Sequence, residues 1–155
     1  MLEITRLADL LVEAFDGKPY YGPSLRDTLR TVRAEVAATQ PDDGSHSIWE
    51  LVAHLTAELD YTRRMIEGVA GDWVEGQTTW PPITETSPTS WDQTIAGLER
   101  ANQDLVSLVR GLDDAALLTE TAPMRIPIYV ALYGTLQHHA YHAGQIALLA
   151  RMSRG

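Results

Sequence analysis

His138 and His142 stand four residues apart in a stretch whose apolar and small residues read as one long helix. On a helix that spacing puts both imidazoles on one face, close enough to grip a single ion. His54 offers a third ring from the middle of another helical stretch, and a facing helix brings it to the same ion. Three neutral imidazoles with no thiolate leave coordination positions open to water or substrate, the arrangement of a catalytic rather than a closed structural site. An ion held in this way acts as a Lewis acid. Zinc fits three nitrogens, and nickel, iron and other late divalent ions suit imidazole too.

Other residues stand near this constellation. Glu50, Glu58 and Tyr61 fall at steps of four and seven from His54, and one of them can orient a ligand or carry a proton. Glu50 already has a helix-capping role, which leaves Glu58 and Tyr61 as candidates for support of the ligands. Gln145, one turn beyond His142, is a third. His139 is rotated by about a quarter turn from His138 and is expected to point away from the shared face. His46 lies two turns before His54, too far to share its ion, and is expected to cap a helix rather than line a pocket rim. No catalytic group is identifiable, since the serines lack the Gly-x-Ser-x-Gly elbow of a covalent nucleophile.

The elements that must position these residues follow from apolar spacing. Ile4, Leu7, Ala8, Leu11, Ala14 and Phe15 predict a short helix over 3–15, broken by Gly17 and Pro19. Pro23 then opens a helix with Leu25, Leu29, Val32 and Val36 inward, ending near Thr39. Its other face carries Arg26, Arg30 and Arg33, read as a solvated surface. After the turn Gln40-Pro41-Asp42-Asp43-Gly44, Ser47 and Glu50 have the spacing of a capping box, and the stripe Ile48, Leu51, Val52, Leu55, Leu59, Ile66 runs on to a stop at Gly68. From Val69 to Ser90 the periodicity disappears, while Gly71, Gly76, Pro81, Pro82 and Pro88 gather beside Trp73 and Trp80. That predicts a long ordered loop, pinned by its tryptophans, that either covers a pocket or closes the end of the core. A third long helix is expected from near Trp91 to Arg110, with Gly111 as its stop, and a last one from Pro127 almost to the end of the chain.

The predicted fold is all-α: a bundle of four main helices with a short extra helix at the amino terminus. The long loop allows a crossover connection, so a simple up-down-up-down order is not required. At 155 residues and 45% hydrophobic content, the chain fits one domain over 1–155. Twelve basic against 21 acidic residues give a charge of −9, which disfavours nucleic acid and anionic lipid as partners. With no cysteine, a metal must sit on His, Asp or Glu. The absence of a basic-then-apolar leader and of a bilayer-length apolar run predicts a soluble cytoplasmic protein.

Three blocks resemble the DinB/YfiT-like superfamily. They are Gly22-Pro23-Ser24-Leu25, the run from His46 to His54, and the run from Gln137 to Ile146. With the Trp-rich loop and Trp91, the resemblance covers most of the chain. It implies a four-helix bundle of up-down-down-up order, often a homodimer, in which one histidine of the second helix and a His-x-x-x-His pair of the last bind a divalent metal. These map onto His54, His138 and His142. The resemblance also implies a divided chemistry: some relatives transfer low-molecular-weight thiols or isomerise thiol adducts, and others are hydrolases. The expectation is therefore a metal-dependent enzyme, a thiol S-transferase or hydrolase acting on a small-molecule substrate with zinc or nickel. The alternative is a non-catalytic metal- or ligand-binding stress-response protein. A third reading, a purely structural dimer, makes the histidines packing residues.

Overall fold

The computed structural model describes residues 2–42, 44–74, 76 and 78–153, so Asp43 of the expected turn and Glu75 and Gln77 of the long loop lie outside the described residues. The described chain is helical, with six α-helices: α1 (Glu3–Asp16), α2 (Leu25–Leu29), α3 (Ala34–Ala38), α4 (Ile48–Glu67), α5 (Pro88–Arg110) and α6 (Ile128–Met152). A short 3-10 turn, Ala116–Leu118, lies between the last two.

Local chemistry sets the ends of the long elements. Ser47 and Glu50 satisfy each other's amides at the start of α4, at 3.2 and 2.8 Å, and Gly68 ends that helix in the left-handed region at φ 75°. The Ser87 hydroxyl accepts from the Ser90 amide and Pro88 occupies the first turn, so α5 begins three residues before the expected Trp91.

Helices α1, α4, α5 and α6 form the four walls, with α4 and α1 each packed between α5 and α6. Cross-links fix their directions. Asp9 meets Arg110, and Arg26 of α2 joins Asp16 to Glu99, so α1 and α5 are antiparallel. Tyr133 donates to Glu3 near the start of α1, and Tyr21 beyond its end shares a groove with Ala143 and Ala147, so α1 and α6 are parallel. His54 meets His142 while Thr62 meets Thr135, which makes α4 and α6 antiparallel. It follows that α4 and α5 are parallel, with Trp49 against Trp91 near their starts. The order is up-down-down-up, as expected. Two consecutive parallel helices need a connection that returns along the bundle, and the loop between Gly68 and Ser87 makes it.

The main core is largely aliphatic, with Leu7, Leu11, Leu55, Leu59, Leu98, Leu105, Leu132 and Ile146 fully enclosed, and Tyr61, Met65 and Ala131 form a second, smaller cluster. Two expectations change in detail. The N-terminal helix is one wall of the bundle rather than an addition to it. The single helix expected from Pro23 to near Thr39 is two five-residue helices, with Arg33 extended between them. The Val32 carbonyl accepts from the Trp91 indole at 3.0 Å, a tertiary bond that replaces a helical one, and Thr28, Thr31 and Val32 are poor helix formers. Ala34 and Ala37 are buried in the second piece, with Val36 only half-buried.

Candidate metal centre

The antiparallel pairing of α4 and α6 brings three imidazoles to one point. His54 Nε2 lies 3.1 Å and His142 Nε2 2.9 Å from His138 Nε2. Each residue offers one ring nitrogen to a group whose members lie within 4.8 Å of one another. His54 and His142 are buried and His138 is half-buried.

The far side of two rings is already committed. His54 Nδ1 lies 2.7 Å from the Thr79 carbonyl oxygen, which can only accept, so that nitrogen carries the proton. His142 Nδ1 lies 2.6 Å from Gln145 Oε1 and donates to it, while the Gln145 amide donates to the Tyr141 hydroxyl at 3.3 Å. In both neutral rings Nε2 therefore presents a lone pair to His138 Nε2. A single proton on His138 satisfies one of these contacts and leaves the other as lone pair against lone pair. A cation among the three nitrogens removes that conflict, and zinc–nitrogen bonds of about 2.0–2.1 Å put tetrahedral ligands roughly 3.3 Å apart, close to the spacing present. The three-histidine group is thus compatible with metal binding and could hold an ion.

The electrostatics keep these rings neutral. Burial lowers the pKa of His138 to about 3, helped by His142, His54 and His139, and burial likewise lowers His54 and His142 against the opposing pull of their carbonyl partners. Neutral imidazole is the form that ligates.

The crossover loop contributes what periodicity cannot reveal. Besides the Thr79 carbonyl, it supplies Trp80, which lies flat on His54 with centroids 3.9 Å apart and planes 6° from parallel. His46 lies on the opposite face of the same indole, at 3.8 Å and 18°. The indole is thus held between two imidazoles. His46 does not cap the helix, a role that falls to Ser47, and it lines the rim of a cleft instead, with Nδ1 3.7 Å from the Glu50 carboxylate.

The remaining candidates divide. Gln145 bonds a ring of the cluster. Glu58 is half-buried beneath the loop, where burial raises its pKa against a bond from the Thr79 side chain, so it touches the residue that holds His54 rather than a histidine. Tyr61 stands apart: its hydroxyl donates to the Gly71 carbonyl at 3.0 Å and its ring meets Trp73 edge-on. His139 lies away from the cluster's shared face, yet it is not at the surface. It is 1% exposed, and neither ring nitrogen has a hydrogen-bond partner among the described residues. Thr79 and Trp80 are the participants that spacing could not assign; the only signal for them was a tryptophan in an aperiodic, proline-rich segment.

A cleft of about 510 Å³ reaches the cluster at His142, between Trp80 and the last turns of α6. The larger hollow, about 730 Å³ between α2, α3 and α5, touches none of the three histidines.

A bundle of this order with a three-histidine centre between its second and last long helices defines a class. The sequence profile of the DinB superfamily matches residues 23–146, a span that includes His54, His138 and His142, and the chain belongs to that superfamily. A comparison with curated proteins returns no match. No helix of the described chain is long and apolar enough to cross a membrane.

Proposed function

We propose that the protein is a metal-dependent enzyme in which His54, His138 and His142 hold a divalent ion, zinc or nickel, and that it works as a thiol S-transferase or hydrolase on a small molecule. The observation that carries this reading is the convergence of three neutral ring nitrogens at 2.9 and 3.1 Å, two of them with their opposite nitrogens fixed by carbonyl oxygens. A bound divalent ion supplies Lewis acidity and makes a thiol or water that ligates it easier to deprotonate. The chain's own groups do the rest. Thr79 and Gln145 fix which nitrogen of His54 and His142 faces inward, and Trp80 holds the plane of His54. Glu58 is a half-buried carboxyl beside the loop whose pKa burial raises, and it is the group placed to carry a proton there.

Assembly as a homodimer, a single domain over 1–155 and a cytoplasmic location belong to the same reading. The dimer is supported by the family resemblance and by outward Tyr129, Val130 and Tyr133 at the end of α6 remote from the cluster. The deciding experiment is native mass spectrometry of freshly isolated protein with elemental analysis, beside the His138→Ala variant. One divalent ion per chain in the wild type, none in the variant, and a metal-dependent rise in melting temperature confined to the wild type are expected. Metal-free wild type that takes up no zinc or nickel ends the proposal.

A further inference from the structure

We infer that the cleft over the three-histidine centre takes an uncharged amphipathic molecule, whose apolar part lies against Leu51, Leu148, Leu149 and Met152 and whose polar end meets His142. The inference rests on the three-histidine cluster as the reaction centre and names what that centre acts upon.

The cleft's size, about 510 Å³, is that of a small-molecule site. Its apolar walls are Pro41, Leu51, Leu148, Leu149, Met152 and the edge of Trp80, whose two faces are covered by His46 and His54. Leu148 and Met152 are 51% and 64% exposed, so a ligand seated there removes a paired apolar surface from water. Its polar groups are neutral hydrogen-bonding side chains, Ser45, Tyr141 and Gln145, with His46 on the rim. Among the described residues lining it there is no lysine or arginine, and the one formal charge is the Asp42 carboxylate.

That charge pattern discriminates between substrates. Away from the ion, a carboxylate or phosphate placed in the cleft loses its hydration without meeting a lysine or arginine among the described lining residues, and it faces Asp42 and a chain of charge −9. Apart from the atom that meets the ion, a suitable ligand therefore carries no formal charge. If the co-substrate is a thiol, it is of the apolar kind and not a polycarboxylate conjugate.

The test is equilibrium binding of benzyl mercaptan and of mercaptosuccinate to the full chain, zinc-loaded and metal-free, followed by tryptophan emission. Benzyl mercaptan is expected to bind at least tenfold more tightly than mercaptosuccinate in both forms. Leu148→Arg, on an exposed position that the fold does not need, is expected to shrink this ratio at least threefold, and Met152→Arg, at another exposed position, to do the same. Mercaptosuccinate binding as tightly as benzyl mercaptan, no binding of either thiol, or a ratio unmoved by both arginines overturns the inference. Failure of the enzymatic reading would show separately, as zinc that does not bind, while the ratio in the metal-free chain still decides the chemistry of the cleft.

Discussion

Trp80 lies face to face with His54, ring centroids 3.9 Å apart and planes within 6°, although one residue belongs to the crossover loop and the other to the second turn of α4. The stack joins the loop to the centre. The loop that returns along the bundle passes over the face of α4 that carries His54 and fixes the orientation of that ring. Trp80→Ala removes both that surface and the support for His46. Weakening of zinc affinity by about tenfold is expected, within the range for outer contacts of a metal ligand, with the helical content unchanged. Competition with a chromogenic chelator measures the affinity and circular dichroism the helicity; unaltered affinity would show that the stack orients nothing.

Gln145→Ala tests the other side of the centre. The Gln145 oxygen fixes the proton of His142 on Nδ1 at 2.6 Å, and without it the ring is free to present the wrong tautomer or rotate. A loss of metal affinity on the order of 10-fold to 100-fold is expected. Gln145→Glu, which keeps the acceptor, should restore most of it. Isothermal titration of zinc into the three proteins separates these outcomes.

The sequence and the fold meet unevenly across this centre. The histidines were legible because helical spacing is a geometric statement: four residues on α6 place His138 and His142 on one face, and the stripe on α4 places the helix that carries His54 beside them. Ser47 and Glu50 were legible as well, since a capping box is local chemistry. Thr79 and Trp80 were not, because their positions depend on where an aperiodic loop lies in three dimensions. The same limit hid the break after Leu29. Leu25, Leu29, Val32 and Val36 keep helical spacing in sequence, but the Trp91 indole takes the Val32 carbonyl from 59 residues away. His139 shows a further limit. Spacing turned it away from the cluster, and only the packing of the bundle makes that direction the interior.

Ser47 links the cap to the site, because α4 carries His54 two turns further on. Ser47→Ala removes the hydroxyl that accepts from the Glu50 amide and leaves a helix N-terminus partly unsatisfied. A cost of about 1 kcal/mol is expected, which lowers the melting temperature of a domain this size by roughly 2–4 °C. Thermal unfolding followed at 222 nm reads the shift. Zinc affinity should change far less than in Gln145→Ala, since the cap touches no ring of the cluster.

His139 governs the acid limit. Its ring is 1% exposed, with no partner for either nitrogen among the described residues, and burial, with His142 nearby, lowers its pKa to about 4. In the unfolded chain the same ring titrates near 6.5, so below that pH the unfolded state binds a proton that the folded state refuses. Stability contributed by the neutral ring is therefore whole above about pH 6.5 and falls as the pH drops toward 4, by on the order of 3 kcal/mol at 1.36 kcal/mol per unit of difference. Urea unfolding of the metal-free protein at pH 7, 5.5 and 4.5 measures the slope. His139→Leu places an apolar side chain at a buried position and removes the proton linkage, so the difference between wild type and variant should shift in favour of the variant as the pH falls. The residual slope of the variant includes His54, His138 and His142, whose lowered pKa values act with the same sign, as does the lowered Glu50, while the raised Glu58 opposes them; added zinc should raise the stability of both proteins most at pH 7. Parallel curves for wild type and His139→Leu would mean that the ring at position 139 takes up its proton inside the folded bundle, and the buried, unpartnered state described for it would be wrong.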